Sequence, residues 1–186
     1  MKTVLSAFIF SICLTGYAFS QTNYDICVYG GTSAGVIAAY TAAKMHKSVL
    51  LIEPGRHLGG LSSGGLGYTD IGNKYAIAGL SLDFYRRVGR HYGKFEQWIF
   101  EPHVAEDIFK QYIREGKIRV LFGFQLTHAT KENDLLISIS DTARTIKAKM
   151  FIDCSYEGDL MAKAGVSYTV GREPNALYSE TYDGIQ

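Results

Sequence analysis

The sequence is poor in the residues that break or staple a chain: three prolines, three cysteines and one tryptophan in 186 residues. No internal repeat and no Pro/Ser-rich or low-complexity tract occurs after residue 20, so no linker divides the rest. Neither sign of charge dominates, with 19 Lys and Arg against 18 Asp and Glu, which removes the electrostatic basis for nucleic-acid binding. No metal is expected. Hydrophobic residues make up 47% of the chain, an ordinary globular share that excludes a disordered tail or a collagen-like repeat.

A single uncharged stretch stands apart. Lys2 is followed by Val4 to Leu14, interrupted by Ser6 and Ser11, and then by Thr15 and Gly16. A transmembrane helix needs about 20 apolar residues, and no basic stop-transfer flank comes after this one. In Ala18-Phe19-Ser20, Ala18 and Ser20 place small residues at the signal-peptidase positions, so residues 1–20 read as a secretory signal peptide, cleaved after Ser20. The mature chain, 21–186, is then exported to the periplasm or beyond without a stable membrane span. It carries 18 basic and 18 acidic residues. It keeps Cys27 inside a predicted strand and Cys154 just after another. That placement predicts two reduced core thiols rather than a disulfide.

Within the mature chain, Tyr24 to Tyr29 is an apolar strand, Gly30 to Gly35 a glycine-rich turn, Val36 to Met45 an alanine-rich helix and Ser48 to Glu53 a second apolar strand. This is a βαβ unit, and its continuous apolar strands imply a parallel sheet covered on both faces. Leu58 to Gly79 has no periodicity and reads as a long functional loop. Val104, Ile108 and Tyr112 recur at helical spacing between Pro102 and Gly116. Ile118 to Phe124, a stretch around Leu126 to Thr130, Leu135 to Ser140 and Thr145 to Asp153 suggest a small antiparallel meander leading into a buried strand. A short helix is expected from Leu160 to Ala164.

The turn Gly30-Gly31-Thr32-Ser33-Ala34-Gly35 lies between strand and helix, where backbone N–H groups and the helix dipole can hold a pyrophosphate. Thr32 stands where the G-x-G-x-x-G fingerprint has its second glycine, so the turn alone also fits a plain tight connection. Glu53 ends the second strand 18 residues after Gly35, where dinucleotide folds place an acid for the adenosine ribose hydroxyls. Strand, turn, helix, strand and acid in this order point to dinucleotide binding. NAD and FAD sites share all of it. The next residues, Pro54, Gly55, Arg56, His57, Leu58 and then Gly59-Gly60-Leu61-Ser62-Ser63-Gly64-Gly65, suit a loop folded back over a long extended cofactor rather than another crossover. Asp159, in Glu157-Gly158-Asp159-Leu160, either meets cofactor hydroxyls or caps the adjoining helix.

Taken together, YDICVYGGTSAG, LLIEPGRHLGGLSSGGLGYTDIG, EPHVAEDIF and FIDCSYEGDLMAKAGVSYTVGRE closely resemble a bacterial family of FAD-dependent oxidoreductases, some members of which are labelled xanthan lyase. The resemblance implies a glutathione-reductase-like fold: an α/β, Rossmann-like FAD-binding domain with a parallel sheet and a small antiparallel β-meander, incomplete at its C-terminus. It implies FAD as cofactor, with Gly30 to Gly35 at the pyrophosphate, Glu53 at the ribose and Gly59-Gly60 lining the ribityl and pyrophosphate side. It also implies that Ser62, Ser63, Gly64 and Gly65 lie toward the flavin ring and the Leu126 backbone toward the adenine. In that family Thr is a usual variant at position 32.

Family members of this type are several times longer, so the resemblance implies an N-terminal fragment that lacks the substrate domain and most catalytic residues. His57, His103 and Tyr68 are the local candidates for chemistry. The substrate would be a small molecule of unknown identity, a carbohydrate-related one being left open. Two rival readings stand beside it: a carbohydrate-active exported protein, prompted also by 13 tyrosines, and a non-catalytic stub with an unpaired sheet edge. A single Lys before the apolar run and no twin arginine imply export in an unfolded state, so FAD would be acquired outside the cytoplasm.

Overall fold

The computed structural model describes residues 23–179, 181 and 184; the predicted signal peptide, 1–20, lies outside the described residues. Eleven elements succeed one another: β1 (Tyr24–Tyr29), α1 (Ser33–Lys44), β2 (Val49–Glu53), α2 (Gly79–His91), α3 (Pro102–Glu115), β3 (Arg119–Phe122), β4 (His128–Glu132), β5 (Leu135–Ser140), β6 (Thr145–Asp153), α4 (Asp159–Lys163) and α5 (Asn175–Tyr178).

The six strands form one mixed sheet in the order β3-β2-β1-β6-β5-β4. β3, β2, β1 and β6 run parallel, whereas β6, β5 and β4 are antiparallel. β6 belongs to both halves. Its Ala148 to Asp153 stretch pairs with β1, and Thr145 to Lys147 pairs with β5. The hairpin between β4 and β5 turns on Asn133 and Asp134, both at positive φ (47° and 66°), the backbone a two-residue turn between twisted strands requires.

Period-2 alternation sends successive apolar residues to opposite faces. Val28 and Leu51 pack with Val36 of α1 and with Val104, Ile108 and Tyr112 of α3, while Cys27, Leu50 and Ile52 pack on the other face with Phe124, Ile139 and Leu160. Both faces of the central strands are therefore covered, which is why Ile26 to Tyr29 and Val49 to Ile52 read as unbroken apolar runs. Cys27 is wholly buried, and burial pushes its thiol up to about 12. Cys154 is also free, half-buried in the turn after β6 and packed against the edge of the core.

Two expectations need correction, and one helix was not foreseen. Ile118 to Phe124 does not open the meander: β3 pairs in parallel with β2 and extends the nucleotide half of the sheet. β6 is only partly buried, with Met150 exposed, so the strand is not enclosed on both faces as an interior parallel strand would be. Finally, α2 has no counterpart in the sequence reading. Its Phe84, Val88 and Gly89 are buried on one face, at a helical spacing as clear as that of α3.

α2 and α3 are joined by an ion cluster. Arg87, with only 13% of its side chain exposed, donates to Asp83 (2.7 Å) and to both oxygens of Glu115 (2.6 and 3.0 Å). The hydroxyl of buried Tyr112 also donates to Asp83, at 2.7 Å. Burial pulls the Asp83 carboxyl up, but the bonds from Tyr112 and Arg87 outweigh it and hold it below its ordinary value; the Arg87 bond lowers Glu115 in the same direction. Depressed carboxylates contribute stability above their unfolded pKa, near 4, and lose it as pH falls through the folded value. Arg87→Met is expected to cost about 2 kcal/mol in urea unfolding at pH 7, a difference that shrinks below about pH 4. A pH-independent difference would contradict this assignment.

Candidate functional site

The chain leaves β1 for β2 on one side and returns to β6 on the other, so the carboxyl ends of β1 and β6 form the topological switch point where open α/β sheets bind ligands. Gly30 leaves β1 at φ +99°, and α1 begins three residues later. A Cβ on Gly35 would collide with the Gly30 carbonyl oxygen, so this glycine lets helix and turn meet.

Thr32 turns inward. Its hydroxyl donates to the Cys154 carbonyl (2.9 Å) and accepts from the Gly35 N–H (3.2 Å), and the residue is buried. The side chain thus caps α1 and ties the turn to the end of β6, leaving the solvent side of the turn clear. That orientation explains why threonine serves where the fingerprint has glycine. Thr32→Val, which keeps the shape but removes both bonds, is expected to lower stability by about 1–2 kcal/mol in chemical denaturation. No change would show that the hydroxyl is idle.

Glu53 is held from two sides at the end of β2. Gly31 N–H donates to Oε2 at 2.7 Å and Gly55 N–H to Oε1 at 2.6 Å. The Gly123 N–H donates to the Glu53 carbonyl (2.9 Å) and the Gln125 side chain to that of Pro54 (2.9 Å). These bonds bring the segment leading to Leu126 alongside the Glu53–Gly55 turn. The loop beyond it folds back onto the turn after β1. Gly59 N–H donates to the Gly31 carbonyl at 2.8 Å, Gly59 bridges Thr32 as a short parallel pair, and Gly60 to Ser62 form one 3₁₀ turn. Ser63 Oγ closes that turn on the Leu58 carbonyl at 2.5 Å.

The predicted residues Gly30, Gly31, Thr32, Ser33, Ala34, Gly35, Glu53, Pro54, Gly59 and Gly60 therefore lie in contacting segments, with Leu61, Ser62 and Ser63 continuing the loop. Arg56 is exposed on the same turn. Asp159 does not cap α4 from the N-cap position, which Gly158 occupies. It lies in the first helical turn, and Asp153 supplies the cap by accepting from Met161 N–H (2.8 Å) and from the Ser155 N–H and hydroxyl (2.9 and 2.7 Å). Asp153 ends its strand as Glu53 does, so a second strand-end acid was the available signal. Tyr29, also missed, is buried at the end of β1. Burial raises its pKa, a hydrogen bond from the Leu126 backbone opposes this, and Asp159, Asp153 and Glu53 add to the rise.

The three candidates for chemistry do not converge. His57 Nδ1 lies 3.2 Å from Glu106 on α3, His103 is exposed in the first turn of α3, and exposed Tyr68 bridges Ile99. A separate cavity of about 340 Å³ between α2 and α3, lined in part by Arg90, His91, Asp107 and Gln111, contains none of the predicted site residues.

The arrangement has known counterparts. Among solved structures the chain is similar to L-proline dehydrogenase from P. horikoshii (TM-score 0.62, 16% identity, covering 82% of this chain and 58% of that one). It is also similar to the flavin-dependent brominase Bmp2 (TM-score 0.59, 16% identity, 78% and 41%) and to the halogenase PltM in complex with FAD (TM-score 0.55, 15% identity, 81% and 38%). At these identities the likeness is one of fold, and the chain spans between about two fifths and three fifths of each structure's length. No curated protein sequence matches it. The match to a family description is extensive: over residues 25–185 the sequence fits the FAD dependent oxidoreductase family, and the chain belongs to that family.

Proposed function

We propose that the switch point between β1 and β6 holds FAD, and that the protein is an exported flavin-dependent oxidoreductase acting on a small-molecule substrate. The observation that carries the reading is the placement of Glu53. Its carboxylate is fixed by Gly31 and Gly55 beside the N-terminus of α1, so an acceptor for ribose hydroxyls and a donor-rich turn for pyrophosphate lie side by side. The residues present fit the cofactor. Gly30 to Gly35 would hold the pyrophosphate, Glu53 the adenosine ribose, the Leu126 backbone the adenine, and Gly59 to Ser63 the ribityl and ring side, with Pro54, Arg56 and Asp159 at the margins. Bound FAD supplies the redox chemistry, while these residues bind and orient it.

The test is an absorption scan of the protein expressed from its complete reading frame and purified from the exported fraction, repeated after FAD is added and excess removed. A retained flavin band is expected, with a mature N-terminus at Gln21. A colourless protein in both preparations would contradict the cofactor assignment, a retained Met1 would contradict cleavage of the signal peptide, and absence of the protein from the exported fraction would contradict export. Among the described residues no helix is long and apolar enough to cross a membrane. A yellow protein would also exclude a purely lytic carbohydrate-active enzyme.

A further inference from the structure

The loop from Gly59 to Gly67 contains five glycines, and a glycine-rich segment loses more conformational entropy on ordering than any other. It is pinned at its start by the Gly59 bond to Gly31 and internally by Ser63. A further bond reaches it from across the switch point: the Leu61 N–H donates to the Tyr156 hydroxyl at 2.6 Å, over 95 residues of sequence.

Tyr156 stands on a stiff platform. Asp153 accepts from Ser155 and Met161, Ser155 Oγ accepts from the Asp159 N–H at 2.9 Å, and the Cys154 N–H donates to the Tyr29 carbonyl at 2.7 Å. The ring lies directly over Gly60, where any Cβ would strike the phenol oxygen and meet Cζ at 3.0 Å. Yet Tyr156 is 59% exposed, so core packing does not account for its position. Its phenol accepts from Leu61 and keeps its own proton free to donate.

We infer that Tyr156 is a cofactor-positioning residue: its hydroxyl latches the Gly59–Ser63 loop to the turn after β6, holding the site closed around bound FAD. The inference rests on the proposed FAD site. In it, the glycines let the loop open for entry, and the tyrosine hydrogen bond slows release.

The experiment uses the protein from its complete reading frame, loaded with FAD, and tracks FAD dissociation by the recovery of free-flavin fluorescence after dilution. Tyr156→Phe is expected to release FAD about three- to tenfold faster, the range for loss of one hydrogen bond, while the stability of the FAD-free protein in urea unfolding falls by no more than about 1 kcal/mol, the cost of that bond alone. Leu61→Pro removes the donor and leaves the ring in place, so it decides on the same readout should Tyr156→Phe fail to fold. It is expected to give a similar rise, and the double variant no further rise, because both act on one bond. Unchanged release in Tyr156→Phe, or fully additive effects in the double variant, would overturn the latch. A wild-type protein that holds no FAD would overturn the site assignment and the latch with it.

Discussion

Gly30→Ala is expected to cost at least about 3 kcal/mol of stability and to abolish flavin retention, measured by urea unfolding and by the flavin band of any soluble product. Two effects add at this position. With φ at +99° an L side chain is strained, and the new Cβ would lie 2.7 Å from the carbonyl carbon and oxygen of Cys154 and 2.8 Å from the Ser155 nitrogen. All three obstacles are backbone atoms, so no rotamer change relieves the clash. Either β6 separates from β1 or the pyrophosphate turn shifts, and both dismantle the switch point. Gly93→Ala provides the control: at φ +67° with no atom within 4 Å of its Cβ, it carries the backbone strain alone, about 1 kcal/mol. Equal losses at the two positions would show that the contact with β6 is not what requires glycine at Gly30.

Glu53→Ala is expected to weaken FAD binding about 10- to 100-fold in equilibrium titration, the range for losing hydrogen bonds to a charged acceptor. The carboxylate fixes Gly31 and Gly55 by their amides, so truncation removes the ribose acceptor and also frees the start of the pyrophosphate turn. Glu53→Gln should fall between, because one oxygen still accepts while the amide nitrogen faces a donor. An affinity within twofold of wild type for Glu53→Ala would show that this acid does not meet the cofactor.

Much of this arrangement was legible in the sequence because its determinants are local. The run Tyr24 to Glu53 places two apolar strands, a glycine turn and an acid within 30 residues, and the structure keeps that order. β5 and β6 fall at the expected boundaries, Leu135–Ser140 and Thr145–Asp153, since polar turn residues bracket each of them. The parts that were not legible depend on partners distant in sequence. Whether Ile118 to Phe124 joins β2 or the meander is decided by pairing across more than 60 residues. Asp153 precedes a short helix and Asp159 begins it, and only the fold shows that the first supplies the cap. Tyr156 looks like any exposed tyrosine until Leu61 is brought against it. α2 carries a helical period of its own, but the role of Arg87 becomes visible only when α3 presents Glu115.

Hydrogen exchange of the protein, with and without FAD, tests the central claim most directly. Binding at the switch point predicts slower exchange on FAD addition in residues 30–35, 53–63 and around Leu126, with the cavity between α2 and α3 unchanged. Protection confined to that cavity, or none at Gly30 to Gly35 and Glu53 while FAD remains bound, would contradict the account.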